Sequence, residues 1–217
     1  MKNFIKYLKI YLLLIFLLFI YTIFCAHSYS NAISDELSNA VFRLHVLANS
    51  DSEEDQHLKL KVRDALLSYM NTLSSNCNTK EEAIQIANQH KNEFQTIAEN
   101  VIVENGYNYP VQIKINNFYF PTKSYGDISL PAGYYDALRV EIGNAKGKNW
   151  WCVMFPSLCF IDISSGIINS EGKEKLENNL NSESYELISE NKTSTEFKLK
   201  FKLLEVFSHN GLFTAKN

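Results

Sequence analysis

"AVFRLHVLANSDSEEDQHLKLKVRDALLSYMNTL", residues 40–73, changes its period halfway along. Phe42, Leu44 and Val46 alternate with Arg43, His45 and Leu47, which is the two-residue repeat of a strand. The alternation stops at "ANSDS", where Ser50, Asp51 and Ser52 are each suited to cap a helix. Glu53, Glu54 and Asp55 then place negative charge at the positive end of that helix. Leu58, Val62, Ala65, Leu66 and Tyr69 follow at helical spacing, while Leu60 and Leu67 fall nearly opposite, to be covered by another element or left for a partner. A strand feeding a capped helix is the seed of a mixed fold.

The segments downstream extend it. "NTKEEAIQIANQHKNEFQTIAENVIVENG", residues 78–106, opens with a capping box, Thr79 with Glu82, and reads as one helix ended by Gly106. Beyond it the period returns to two, in Val111, Ile113 and Ile115 and again in Leu138, Val140 and Ile142. "GNAKGKN" reads as a hairpin connection into "KGKNWWCVMFPSLCFID", residues 146–162, in which Trp150, Cys152 and Met154 face one way and Trp151, Val153 and Phe155 the other. Apolar side chains on both sides indicate a strand covered on both faces. The polar stretch 164–185 reads as an insert, loop or short helix. Phe197, Leu199, Phe201 and Leu203, alternating with Lys198, Lys200 and Lys202, read as a last strand. The expected fold class is α+β: a mainly antiparallel sheet with two helices packed on one face.

Residues 1–28 differ from all of this. Lys2, Lys6 and Lys9 precede an uncharged apolar run from Ile10 to Ala26, the composition of a signal peptide or a membrane anchor. The lysines hold the N-terminus inside, so the rest of the chain is translocated. Cys25 follows Phe24, too large for a lipoprotein signal. The expected organisation is a leader over 1–28, a linker over 29–39 and one domain over 40–217. Residues 1–28 carry three lysines and no acid, so the formal charge of −3 for all 217 residues becomes −6 for the remainder. A mildly acidic domain lacks the clustered basic surface that nucleic acid requires.

Export permits disulfides. Cys152 and Cys159 bracket Pro156, and either a disulfide or two buried thiols suits them; no third or fourth ligand lies near enough in sequence for a metal, and no cofactor motif is present. The strongest enzymatic reading is an exported envelope hydrolase with Cys152 as nucleophile, His45 as base and Asp51 or Asn49 as its orienter. Cys152 inside "WWCVMF" lacks the cationic or helix-terminal setting that makes a thiolate. A non-catalytic domain is therefore expected.

"FRLHVLANSDSEEDQHLKLKVRDAL", "FPTKSYGDISLPAGYYDALRVEIGN" and "NWWCVMFPSLCFID" resemble the stage II sporulation protein R family of endospore-forming bacteria, over about residues 40–163. The resemblance implies a signalling protein exported from the forespore into the intermembrane space. There it activates a membrane-embedded aspartic peptidase, at its extracytoplasmic face, to process the pro-form of sigma factor E. It implies no catalytic residue and no small-molecule substrate, and contact with the membrane only through an uncleaved leader. The polar or aromatic residues inside the matching segments that are expected to touch the partner are Arg43, His45, Asn49, Asp51, Tyr125, Tyr134 and Trp150. Each has a structural alternative: capping for Asn49 and Asp51, turn packing for Tyr125, core for Trp150.

Overall fold

A computed structural model describes residues 2–75, 77–158 and 170–189. Helix α1 (Lys2–Ala40) leads into β1 (Phe42–Leu47), followed by α2 (Glu53–Ser74), α3 (Lys80–Gln89) and α4 (Lys91–Glu104). Strands β2 (Val111–Phe120), β3 (Lys123–Tyr125), β4 (Ile128–Leu130), β5 (Gly133–Ile142) and β6 (Asn149–Phe155) come next. Two short helices, α5 (Ser170–Asn178) and α6 (Ser182–Ser189), complete the described chain. The class is α+β. The expected last strand around Phe197–Leu203 lies outside the described residues.

The main sheet has the order β2-β5-β1-β6, and β3 pairs with β4 in a separate hairpin. Two of the three pairings in the main sheet are antiparallel; β1 and β5 run parallel. This corrects the reading of "GNAKGKN" as a hairpin turn, because β1 lies between β5 and β6. The connection instead crosses the end of β1, where Gly147 N–H donates to the Ala48 carbonyl at 2.9 Å and Lys146 N–H to that of Asn49 at 3.3 Å. All six residues of β1 are buried, and a strand apolar enough for that is better placed centrally than at an edge.

Register sorts the side chains. Leu44 stands opposite Leu138 and Cys152, and Val46 opposite Val140 and Trp150, so these share one face; Arg43, His45, Arg139, Trp151 and Val153 share the other. Helix α2 covers the first face, since its Arg63 lies over the Trp150 ring, 4.2 Å from the centroid. Helix α3 joins it there through Lys80, whose Nζ is 2.8 Å from Asp136 Oδ2. The Asp136 carboxyl would be raised by burial, but hydrogen bonds from Lys80 and Asn117 and the Lys80 charge together outweigh that and hold it below the usual range. Leu44, Val62, Leu66, Phe94, Ala98 and Leu138 are fully buried in this layer, each large side chain contributing about 1.5–3 kcal/mol. Leu67 is covered as well, at 2% exposure.

Ser52 caps α2, its side chain accepting from Asp55 N–H. Thr79 caps α3, but the single helix expected over 79–106 is two, broken at His90, which leaves helical geometry at φ −102°, ψ 21°. The expected linker over 29–39 is a further correction: it is helical, the last turns of α1. Ile33, Leu37 and Ala40 are buried in the core, and Glu36 accepts from Asn181 N–H (2.6 Å) and the Ser184 hydroxyl (2.8 Å) of the α6 region. No cap separates this stretch from the leader, so the sequence carries no local sign of where the leader ends and the packed turns begin. Of the polar stretch 164–185, residues 170–185 are described; they lie largely in α5 and α6, and Leu176 is fully buried, as is Ile188 just beyond.

Candidate interaction surface

Arg43 is the most unusual side chain in the domain. It is fully buried at the centre of the sheet, with its guanidinium carbon 4.1 Å from the Phe120 ring centroid and 4.7 Å from that of Tyr135. Nη2 donates to the Tyr125 hydroxyl at 2.5 Å. That hydroxyl in turn donates to the Trp151 carbonyl at 3.3 Å, and burial raises the Tyr125 phenol despite the nearby cation. Among the described residues no carboxylate bonds the guanidinium, and none partners Nε or Nη1. A cation held by aromatic faces gains roughly 0.5–2 kcal/mol per contact. Arg43 is thus a core residue, and its expected role as an exposed contact is corrected. Tyr125, brought over the sheet by the β3–β4 hairpin, is 4% exposed and is corrected with it.

His45, 4% exposed, lies next on the same face. Its ring stacks on Trp151 with centroids 3.7 Å apart, and Phe120 meets it edge-on at 5.8 Å. Nε2 is 2.9 Å from Asn149 Oδ1, a bond made when the neutral ring carries its proton there. Burial pushes its pKa down to about 4, with Arg139 adding to the effect and Asn149 opposing it. His45, too, is withdrawn from any partner.

The hydrolase alternative fails on the same geometry. His45 pairs across β6 with Trp151, so the Cys152 side chain leaves the opposite face of the sheet. Cys152 is also 1% exposed and disulfide-bonded. Cys25 and Cys77 are free thiols; Cys159 lies outside the described residues. Mass spectrometry of the non-reduced chain is expected to find Cys152 joined to Cys159, and reduction to cost about 2 kcal/mol. Recovery of Cys152 as an alkylatable thiol in the folded, non-reduced protein would refute the pairing.

Asn49 and Asp51 organise the loop at the end of β1. Asn49 Nδ2 donates to Asp55 Oδ2 at 2.8 Å, and its Oδ1 accepts from Asn144 N–H at 2.9 Å; Asp51 Oδ1 accepts from Lys148 N–H at 2.6 Å. Burial would raise the Asp55 carboxyl, but hydrogen bonds from Ser50 and Asn49 prevail and lower it. Asp51 is exposed and Asn49 half-buried. The β5–β6 loop packs so closely here that a Cβ on Gly147 would overlap the Ser50 carbonyl oxygen. Gly147→Ala is accordingly expected to cost about 1–3 kcal/mol, read by denaturant unfolding; wild-type stability would show that the loop is not held against β1.

Trp150 is half-buried beneath Arg63, which leaves Tyr134. At 41% exposure it meets Tyr119, 37% exposed, edge-on at 5.6 Å across the β2–β5 pair. Of the expected contacts, Tyr134 and Asp51 are exposed, and Asn49 and Trp150 are partly so. Phe120 and Tyr135, which complete the Arg43 cage, were not among the expected residues: they stand at the end of β2 and near the start of β5, on either side of the β3–β4 hairpin, and no local signal in the sequence brings them to Arg43.

These features define a class of protein: an α+β domain with a buried polar centre, joined to an N-terminal helix long and apolar enough to act as an export signal or membrane anchor. The family model for stage II sporulation protein R matches residues 38–165, and the chain belongs to that family. It is 38% identical over 139 residues to stage II sporulation protein R of Bacillus subtilis (strain 168), an alignment covering 64% of this chain and 62% of that protein. No solved structure matches. The family match begins near the end of α1 and takes in every strand from β1 to β6.

Proposed function

We propose that this chain is an exported sporulation signal which activates, by binding its extracytoplasmic face, a membrane-embedded aspartic peptidase that processes the pro-form of sigma factor E. The observation that carries this reading is membership of the stage II sporulation protein R family, whose match spans all six described strands. Lysines before the apolar stretch of α1 support delivery to the far side of a membrane. A bonded, buried Cys152 supports action without a thiol nucleophile and suits an oxidising compartment.

A binding partner shifts a receptor only as far as it prefers one state over the other. Turning a peptidase from almost wholly inactive to almost wholly active requires a preference of about 10⁴-fold. Tyr119 and Tyr134 are suited to supply part of it, since exposed tyrosines offer large, stiff contact areas. Tyr134→Ala is expected to weaken binding by about 1–2 kcal/mol with little change in stability, because the ring is already 41% exposed. Unaltered processing with unaltered stability would remove this pair from the interface. To test the reading itself, the full chain is produced in cells that contain only the peptidase and the pro-sigma factor. Processing should begin on its expression, and its absence there, with the chain folded and exported, would refute the reading.

A further inference from the structure

Helix α1 belongs to the apolar leader at one end and to the folded core at the other. Between Phe4 and Phe24 its large apolar side chains are exposed, and no break in the helix separates them from Ile33, Leu37 and Ala40, which are buried in the core. Three contacts hold the core end. The Glu36 carboxylate accepts from the Asn181 N–H (2.6 Å) and the Ser184 hydroxyl (2.8 Å), at the start of α6. The Tyr29 hydroxyl donates to Glu183 Oε1 at 2.8 Å, and the Ser38 carbonyl accepts from Lys80 Nζ at 3.2 Å. Tyr29 follows the end of the apolar run at Ala26 by roughly 4.5 Å of helical rise. The domain is thus gripped almost where the apolar run stops.

An enzyme that removes a leader needs extended chain at the cut, and a helix has its backbone groups already bonded to one another. The small residues suited to a cut, Ala26 and Ser28, lie inside α1, and His27 between them is tied to the next turn, with Asn31 Nδ2 2.8 Å from its Nδ1. No glycine or proline occurs from Lys2 to Ala40 to unwind the helix there. The uncharged run from Ile10 to Ala26 also exceeds the roughly 7–15 residues of a cleaved signal's apolar core and reaches the roughly 17–25 of a membrane span. We propose that α1 is a permanent anchor: one helix crosses the bilayer and enters the core, so that the domain stays attached to the membrane across which it was exported. With no flexible joint, Ala40 is held within about 21 Å of the end of the apolar run. The signal is then confined to the surface that delivers it and meets the peptidase at contact range, where tethering raises its effective concentration. That consequence, unlike the anchor itself, rests on the reading of function above.

The test is the intact mass and the membrane attachment of the full chain after folding and export from bacterial cells. The product should retain residues 1–28 and stay with the membrane through an alkaline carbonate wash. A product that begins near Tyr29 and is free in solution would overturn the proposal. Phe24→Pro and the milder Phe24→Gly break the helix just before Ala26 without touching the core. Both should convert the exported chain, proline more fully, to that cut and soluble form with an unaltered unfolding transition. Retention of residues 1–28 in both exported variants would show that helix continuity does not protect the leader, and would overturn the proposal too. At equal expression the soluble form should start processing of the pro-sigma factor at least tenfold more slowly than the anchored chain, and equal rates would refute confinement. If the anchored chain is whole and folded yet starts no processing, the functional reading fails and the anchor stands; processing by a cut wild-type chain leaves that reading intact and removes the anchor.

Discussion

Arg43→Ala is expected to destabilise the domain by about 3–5 kcal/mol, enough to unfold much of it, since truncation of a large buried side chain loses both its transfer energy and the cavity it filled. The guanidinium lies against Phe120, Tyr125 and Tyr135 at zero exposure, so three rings lose a neighbour at once. Arg43→Met separates volume from charge. A buried cation without a carboxylate carries a desolvation cost that methionine removes, while methionine fills much of the same space. The expected loss for methionine is therefore only about 1–2 kcal/mol. Denaturant unfolding of the two variants decides the matter. If Arg43→Ala keeps wild-type stability and yet loses activity, Arg43 is a contact residue after all and the cage is not structural.

The second large effect is a dependence of stability on pH. Folded His45 takes up a proton only near pH 4, whereas in the unfolded chain it does so near 6.5. Between those values the unfolded state binds the extra proton, so stability rises with pH across the window. The contribution is complete above about 6.5, falls as the pH drops and is exhausted below about 4, a change of roughly 3 kcal/mol. The groups that set it are Arg139, Glu141 and Arg43 around the ring, with burial beneath Trp151 and Phe120 as the main cause. His45→Gln, which cannot titrate, should flatten that part of the profile. A profile with equal slope in wild type and variant would show that the ring is hydrated and unshifted.

Both effects concern residues whose periodicity was plain in the sequence and whose burial was not. Alternation placed Arg43 and His45 on the face opposite Leu44, and the structure agrees. What alternation cannot report is what covers a face: Tyr125 arrives from a hairpin some eighty residues downstream and Phe120 from the end of β2 just before it, and a charged residue on a strand is ordinarily exposed. The helix starts were legible because capping is local, as at Ser52 and Thr79. The insertion of β1 between β5 and β6 was not, because a short polar link such as "GNAKGKN" suits a hairpin as well as a crossing over one strand end. The break at His90 was hidden for a similar reason, since Ala87 and Phe94, seven residues apart, keep the helical phase across it.

The proposed function requires that this domain act by binding and make or break no bond. Titrating the full chain against a fixed amount of peptidase in lipid nanodiscs, with processing of the pro-sigma factor as the readout, tests it directly. Activation by binding should saturate at a fixed ratio of the two proteins, track occupancy and reverse when the chain is washed away. Full activation by a small fraction of an equivalent, growing with time and persisting after the chain is removed, would contradict the account and require a catalytic step.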